Sequence, residues 1–308
     1  VEITNLYGIP EPDYKWLISS EYDKSPDGVP SITTLISPPR ARLLAERHDA
    51  EITIDASELV KLKLGEAVHD SVYRRTNPME GWIQEVRREF KIPGTDIVVR
   101  GKPDMIQLPD ILWDRKVTSV WSAIFGEKEE WSWQTNGYRL MLAENRHLVN
   151  RLNLLMYFTD WRESDAKRGD ADYPQAPVMC LRIQTLELDR VAAYFAERAA
   201  LHAKAATLPD EHLPLCSSKE RWERGAKWAV HSVGKDGLSK TATRGGLYDK
   251  DWPDARERAE EFVKETTAKT GKEYTIVDRP GICARCQPRW CHGCKWCTFY
   301  QDLQKASF

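Results

Sequence analysis

The period of apolar residues changes several times along the chain, and each change marks an element. Residues 1–30 mix Pro, Gly, Asp and Tyr without a sustained period and predict an irregular arm. Ser31-Ile-Thr-Thr-Leu-Ile36 then runs into Ser37-Pro-Pro-Arg40, a helix start with proline near the first turn, so a helix is predicted from Pro38 to about Arg47. Between Ser57 and Arg75, Leu59, Val60, Leu62, Leu64, Ala67, Val68 and Val72 recur near helical spacing, broken only by Gly65.

The period then falls to two. Ile83–Phe90, Ile97–Ile106 and Ile111–Val117 alternate like strands around Pro93-Gly94 and Pro109-Asp110 turns, and predict a three-strand meander. Helical spacing returns over Trp131–Glu144. A strand over Leu152–Trp161, a polar loop around Lys167–Tyr173, a strand over Val178–Ile183 and an Ala-rich helix over Leu186–Ala206 follow. Beyond Pro209 the texture turns to short charged and Trp-bearing segments, with a helix over Asp254–Thr270, a strand over Tyr274–Val277 and a Cys-rich tail. Strands alternating with helices indicate an α/β class. The working partition is an arm (1–30), a core (31–207) and an appendage (208–308).

Composition narrows the classes. A chain of 308 residues can bury a full core. Its net charge of −2 confines any nucleic-acid binding to a local basic groove. No apolar run approaches a membrane span, so no membrane partner is expected, and Val1-Glu-Ile-Thr-Asn5 lacks the basic and apolar regions of a leader; a cytoplasmic location is expected. Cysteines stay reduced there, and five of the seven lie between Cys283 and Cys297, which points to metal ligation over disulfides.

The candidate chemistry lies in an ordered series: His69 on a helix, Asp104 at a strand end, Asp114-Arg115-Lys116 on the next strand, and Gln134 with Tyr138 on the following helix. Residues two apart on a strand share a face, so Asp114 and Lys116 project together, and the meander can place Asp104 beside them. Two converging carboxylates need a cation, and hard oxygen ligands suit Mg²⁺ or Mn²⁺, with a His69 nitrogen tilting the choice to Mn²⁺. Lys116 is placed to orient an attacking water or to offset charge on a phosphate in transit. Gln134 and Tyr138 are four apart on one helix face, within reach of the DNA backbone or Lys116. Glu66, Glu85 and Glu89 either border this site or are surface charges. Trp113, Trp121, Trp131 and Trp133 crowd the same region; packing is the favoured reading for each, stacking on unpaired bases the alternative.

The stretches Gly65-Glu-Ala-Val-His69, Gly101-Lys-Pro-Asp104, Asp114-Arg-Lys116 and Gln134-Thr-Asn-Gly-Tyr138 resemble the motifs of RecB-like nucleases in the PD-(D/E)XK superfamily, among them phage-encoded and CRISPR-associated exonucleases. The resemblance covers roughly residues 30–160. It implies a restriction-endonuclease-like core with a mixed central sheet flanked by helices. His69, Asp104 and Asp114 would be metal ligands, Lys116 the catalytic lysine, and Gln134 and Tyr138 its companions. It further implies a Mg²⁺- or Mn²⁺-dependent exonuclease acting on DNA with free or single-stranded ends, in phage or bacterial recombination, repair or degradation. The compartment would be the bacterial host cytoplasm, and a recombination protein or a second copy of the chain a possible partner. A structure-selective endonuclease and a non-catalytic DNA-binding protein on the same fold are the alternatives.

The tail has ligand spacing of its own. Cys283-x-x-Cys286 with Cys294-x-x-Cys297 would make a Zn²⁺ knuckle, whereas thiolates from both ends of a segment would suit a [4Fe–4S] cluster. The same family resemblance extends to Leu213-Pro-Leu-Cys216 followed by Glu220-Arg-Trp222. It implies iron, held by Cys216, Cys286, Cys291 and Cys297, with Cys283 and Cys294 as alternates and a structural role for the centre. Cys180 lies in an apolar strand and is expected to be packed.

Overall fold

Pairing with a distant segment orders the amino-terminal stretch that shows no period of its own. In the computed structural model, which describes residues 1–19, 28–126, 128–168, 172–234 and 236–306, β1 (Glu2–Thr4) runs parallel to β2 (Thr53–Asp55). Helix α1 (Glu11–Ile18) follows β1, with proline in its first turn. Residues 1–19 are therefore not the irregular arm expected: a strand of three residues and a two-turn helix are too short to set up a recognisable period. Residues 20–27 of that arm, and 169–171 of the predicted polar loop, lie outside the described residues.

Capping groups set the next boundaries. Ser31 accepts from Thr34 N to start α2 (Ile32–Ile36), and α3 (Pro39–Arg47) begins on proline. Asp55 accepts from Ser57 N while Glu58 reaches back to Asp55 N, which shapes a 3₁₀ turn over Ala56–Leu59 before α4 (Val60–Thr76), the helix that carries His69.

The expected meander is broken twice. Its first strand divides into β3 (Trp82–Gln84) and β4 (Arg88–Lys91) at Glu85, whose φ of +53° is rare for a side chain of this kind. Its second divides into β5 (Val98–Gly101) and β6 (Met105–Gln107) around Lys102-Pro103, where proline has no N–H for a ladder. β4 and β5 pair as a separate ribbon, while β3, β6 and β7 (Ile111–Thr118) join a larger sheet. After β7 come α5 (Trp121–Ile124), α6 (Glu129–Glu144), β8 (Arg151–Phe158), α7 (Glu163–Lys167), β9 (Val178–Ile183) and α8 (Leu188–Ala206).

The resulting central sheet has five strands in the order β3-β6-β7-β8-β9, with β7 parallel to β8 and the other pairs antiparallel. The α/β class and the mixed central sheet expected from the sequence are both present. Leu112, Leu152, Leu154 and Met156 are fully buried on this sheet, in one core with Ile32, Leu140, Met141 and Phe195 from the helices. Two glycines allow the close packing of α6. A Cβ on Gly137 would lie 2.6 Å from Phe195 Cζ, and one on Gly101 2.9 Å from Ile32, Met141 and Tyr138. Cys180, expected to be packed, is exposed, because β9 is an edge strand whose alternate side chains face away from the core.

The chain divides into two compact units, residues 1–214 and 215–308. In the second, β10 (Glu223–Arg224) pairs with β14 (Ile282–Cys283), and β11 (Lys227–Val233) lies between β12 (Ser239–Asp249) and β13 (Tyr274–Arg279). Helix α9 (Ala255–Thr270) packs Ala255 and Ala259 against Val230 and Tyr248, and α10 (Thr298–Ala306) closes the unit. Among the described residues no helix is long and apolar enough to cross a membrane.

Candidate metal centre and cysteine cluster

The break at Glu85 and the short β6 meet at one point. The β3–β6 register, which pairs Gln84 with Met105, carries one step further, and Glu85 N donates to Asp104 O at 3.1 Å. His69, on α4, comes to the same place: its Nδ1 lies 3.4 Å from Glu85 Oε1 and 3.4 Å from Asp104 Oδ1. Each carboxylate has its other oxygen engaged. Asp104 Oδ2 accepts from Arg115 N at 2.6 Å, and Glu85 Oε2 pairs with Lys102 Nζ at 2.9 Å. His69, Glu85 and Asp104 can each place one ligand atom within 4.8 Å of the other two. One imidazole nitrogen with two hard oxygens fits a divalent ion of the Mg²⁺ or Mn²⁺ type.

The electrostatics fit a cation as well. Burial opposes a charge on His69, but hydrogen bonds and attraction from Asp104 and Glu85 outweigh it and push its pKa up to about 9. For Glu85 the desolvation is likewise outweighed, by His69 and Lys102, which hold its carboxyl below the usual range.

Beside this trio stands a buried polar network. Asp114 is 2% exposed. Gln134 Nε2 donates to Asp114 Oδ1 at 3.2 Å and to Tyr138 Oη at 3.2 Å, while Gln134 Oε1 accepts from Lys116 Nζ at 2.8 Å. Lys116 Nζ also stands 2.7 Å from Asp114 Oδ2, so that this buried oxygen is held in an ion pair. Burial raises the Asp114 pKa, with Lys116 opposing and the Asp104 charge adding to the rise.

Of the expected metal set, the structure brings His69 and Asp104 together and adds Glu85; Asp114 sits next to them, tied to Lys116 and Gln134. No periodic signal singles out Glu85, because a left-handed backbone step aims it. The other two acidic candidates go elsewhere: Glu66 pairs with Lys63 at 2.7 Å, and Glu89 is exposed on β4. Among the tryptophans, Trp131 is buried, Trp133 stacks on Tyr194 with centroids 3.7 Å apart, and Trp113 donates to Gln107 Oε1 at 3.2 Å. Trp121 departs from the packing expectation and is exposed.

Among the described residues of the second unit the cysteines form no disulfide. Ser217 N donates to Glu220 Oε2 at 2.8 Å and Glu220 N to Ser217 Oγ at 3.2 Å; Arg221 donates to Cys216 O. These bonds fix the turn that presents Cys216. Burial first, then Glu220, Cys291 and Cys297, pushes the Cys216 thiol up to about 11. Burial, then Cys283, Cys216, Cys291 and Cys297, pushes Cys286 up to about 12. Burial, then Cys294 and Cys297, takes Cys291 to about 11. Thiols from residue 216 and from the tail therefore share one electrostatic neighbourhood, where thiolates are costly unless a metal compensates them.

No protein-family profile matches the chain, and no curated protein matches it. Among solved structures it is similar to SSO0001, at 15% identity and a TM-score of 0.42, over 61% of this chain and 82% of that one.

Proposed function

We propose that this chain is a divalent-metal-dependent deoxyribonuclease of the RecB-like PD-(D/E)XK class, acting as an exonuclease on DNA ends. The observation that carries the reading is the convergence of His69, Glu85 and Asp104 beside an ammonium, Lys116, held by Asp114 and Gln134. A bound Mg²⁺ or Mn²⁺ would polarise the scissile phosphate and lower the pKa of the attacking water. His69 Nδ1 and the facing oxygens of Glu85 and Asp104 would hold the ion, with Arg115 N and Lys102 steadying the two carboxylates from behind. Asp114 and Gln134 restrict Lys116 to one position, so that negative charge growing on the phosphate meets a donor already in place. Tyr138 does the same for the Gln134 amide.

In the second unit the reading assigns a [4Fe–4S] cluster to Cys216, Cys286, Cys291 and Cys297. Its support is the electrostatic coupling of Cys216 to tail thiols, since a Zn²⁺ knuckle built within residues 283–297 has no use for Cys216. Such a centre would close the chain from residue 216 to the tail, a structural role.

The test is hydrolysis of end-labelled linear DNA and of covalently closed circles with Mg²⁺ or Mn²⁺. Nucleotides should be released from ends, and chelation should stop the release. Efficient cutting of circles would replace the exonuclease with an endonuclease. Tight DNA binding without hydrolysis would leave a non-catalytic binding protein.

A further inference from the structure

The turn after the Lys116 strand carries side chains that the hydrolytic site does not use. Ser119 Oγ donates to Asp160 Oδ2 at 2.6 Å and Val120 N to Asp160 Oδ1 at 2.8 Å, which pins the start of α5. Val120 is buried, and Ala123 and Ile124 pack on the core. The other face is unlike them. Trp121 and Phe125, four residues apart, are 55% and 71% exposed, and their rings stack with centroids 5.7 Å apart and 25° between planes. Two large rings side by side on a single helical turn form a contiguous apolar surface, the kind that marks a binding site when scattered single residues do not.

The position of this surface suggests its occupant. Lys116 and Trp121 are five positions apart along the chain, a span of at most about 18 Å, within reach of a few nucleotides of one strand. A second cation stands in the same field: Lys128 has its pKa lowered by burial and by the charge of Lys116, and its Nζ lies 4.8 Å from the Trp131 ring centroid. Cations for phosphates and flat rings for bases, here a few positions apart along the chain, are the two components of sites that grip single strands. In a duplex the base faces are covered by their neighbours, so exposed rings of this sort gain their full contact only from unpaired bases.

We propose that Trp121 and Phe125 form a stacking platform for unpaired bases of a DNA strand whose phosphate is engaged at Lys116, with Lys128 contacting a nearby phosphate. The proposal rests on the deoxyribonuclease reading and deepens it by assigning the side chains that grip the unpaired bases.

Binding is measured by fluorescence anisotropy on the full chain in chelator, so that bound DNA is not consumed, and cleavage by the wild-type chain with Mn²⁺ is followed in parallel. The probes are a short oligothymidylate and an oligomer of equal length made of abasic sites. Trp121→Ala/Phe125→Ala should weaken oligothymidylate binding roughly 5- to 150-fold and leave the abasic oligomer unaffected. Trp121→Phe, which keeps a π-face, should retain most of the affinity. Lys128→Ala should weaken both oligomers alike. Unchanged oligothymidylate binding by the double variant overturns the platform, as it would if a protein partner covered this face; so does equal loss for both oligomers. If the wild-type chain cleaves no DNA, the deoxyribonuclease reading falls first. If it cleaves and the rings prove indifferent, only the platform falls.

Discussion

Lys116→Ala removes the ammonium that touches the buried Asp114 carboxylate, and its effects on stability and on turnover can be separated. Lys116 Nζ stands 2.7 Å from Asp114 Oδ2 and 2.8 Å from Gln134 Oε1. Deleting one partner of a buried pair costs about 3–5 kcal/mol where neither partner meets solvent. Here the Lys116 side chain keeps 19% of its exposure, and solvent screening reduces the figure. Proton uptake sets a ceiling: at pH 7 a carboxylate with an ordinary pKa escapes its charge for about 4 kcal/mol. Burial already raises the Asp114 pKa, so the escape is easier than that. The expected destabilisation is about 1–3 kcal/mol. Adding Asp114→Asn removes the stranded charge, so Lys116→Ala/Asp114→Asn should regain at least half of the loss. Turnover should not return, because the donor is absent in both variants; kcat falls about 10²- to 10³-fold. Amide-exchange protection of β7 in chelator reads the stability, and release of end label reads the turnover. Wild-type cleavage by folded Lys116→Ala, or a double variant no more stable than the single one, would refute the reasoning.

Glu85→Gln should weaken Mn²⁺ binding at least about tenfold by calorimetry while the chain stays folded, since it removes one charge from the trio; unchanged affinity would return the ligand role to Asp114. Gly137→Ala favours the helix by about 1 kcal/mol yet drives a Cβ to 2.6 Å from Phe195 Cζ, an overpacking that costs about 1–3 kcal/mol, so Tm should fall and not rise. His202 is buried with Nε2–H donating to Leu35 O and Ser37 O and Nδ1 accepting from Arg42 Nε, and burial followed by Arg42 and Arg198 lowers its pKa from 6.5 to about 4. The unfolded chain therefore takes up a proton that the folded chain refuses, and the contribution of His202 to stability, level above pH 6.5, should drop as pH falls from 6.5 to about 4; His202→Gln should flatten that limb in an acid titration of unfolding. Protein purified without oxygen should be brown and lose the colour in Cys216→Ser, whereas stoichiometric zinc without iron would show the wrong metal, since d¹⁰ Zn²⁺ gives no such absorption.

The parts of the molecule that local geometry governs were legible in the sequence. Strand β9 (Val178–Ile183) has the bounds that its apolar run predicts, and α6, α8 and α9 match their helical periods to within two residues at either end. The placing of Asp114 and Lys116 on one strand, and of Gln134 and Tyr138 one helical turn apart, is of the same kind, and the structure joins these side chains through Gln134. What was not legible depends on partners far along the chain. β1 and β2 are strands only because they pair with each other, and β11 and β12 carry too many polar residues to stand out from loop until β13 and α9 cover them. The exchange between Asp114 and Glu85 in the candidate metal set has the same origin. Order and spacing show that acidic residues gather near His69; which oxygens remain turned toward it is decided by a left-handed step at Glu85 and by a backbone donor, Arg115 N, that engages the far oxygen of Asp104. Any residue could supply that N–H, so its identity leaves no trace in the pattern of side chains.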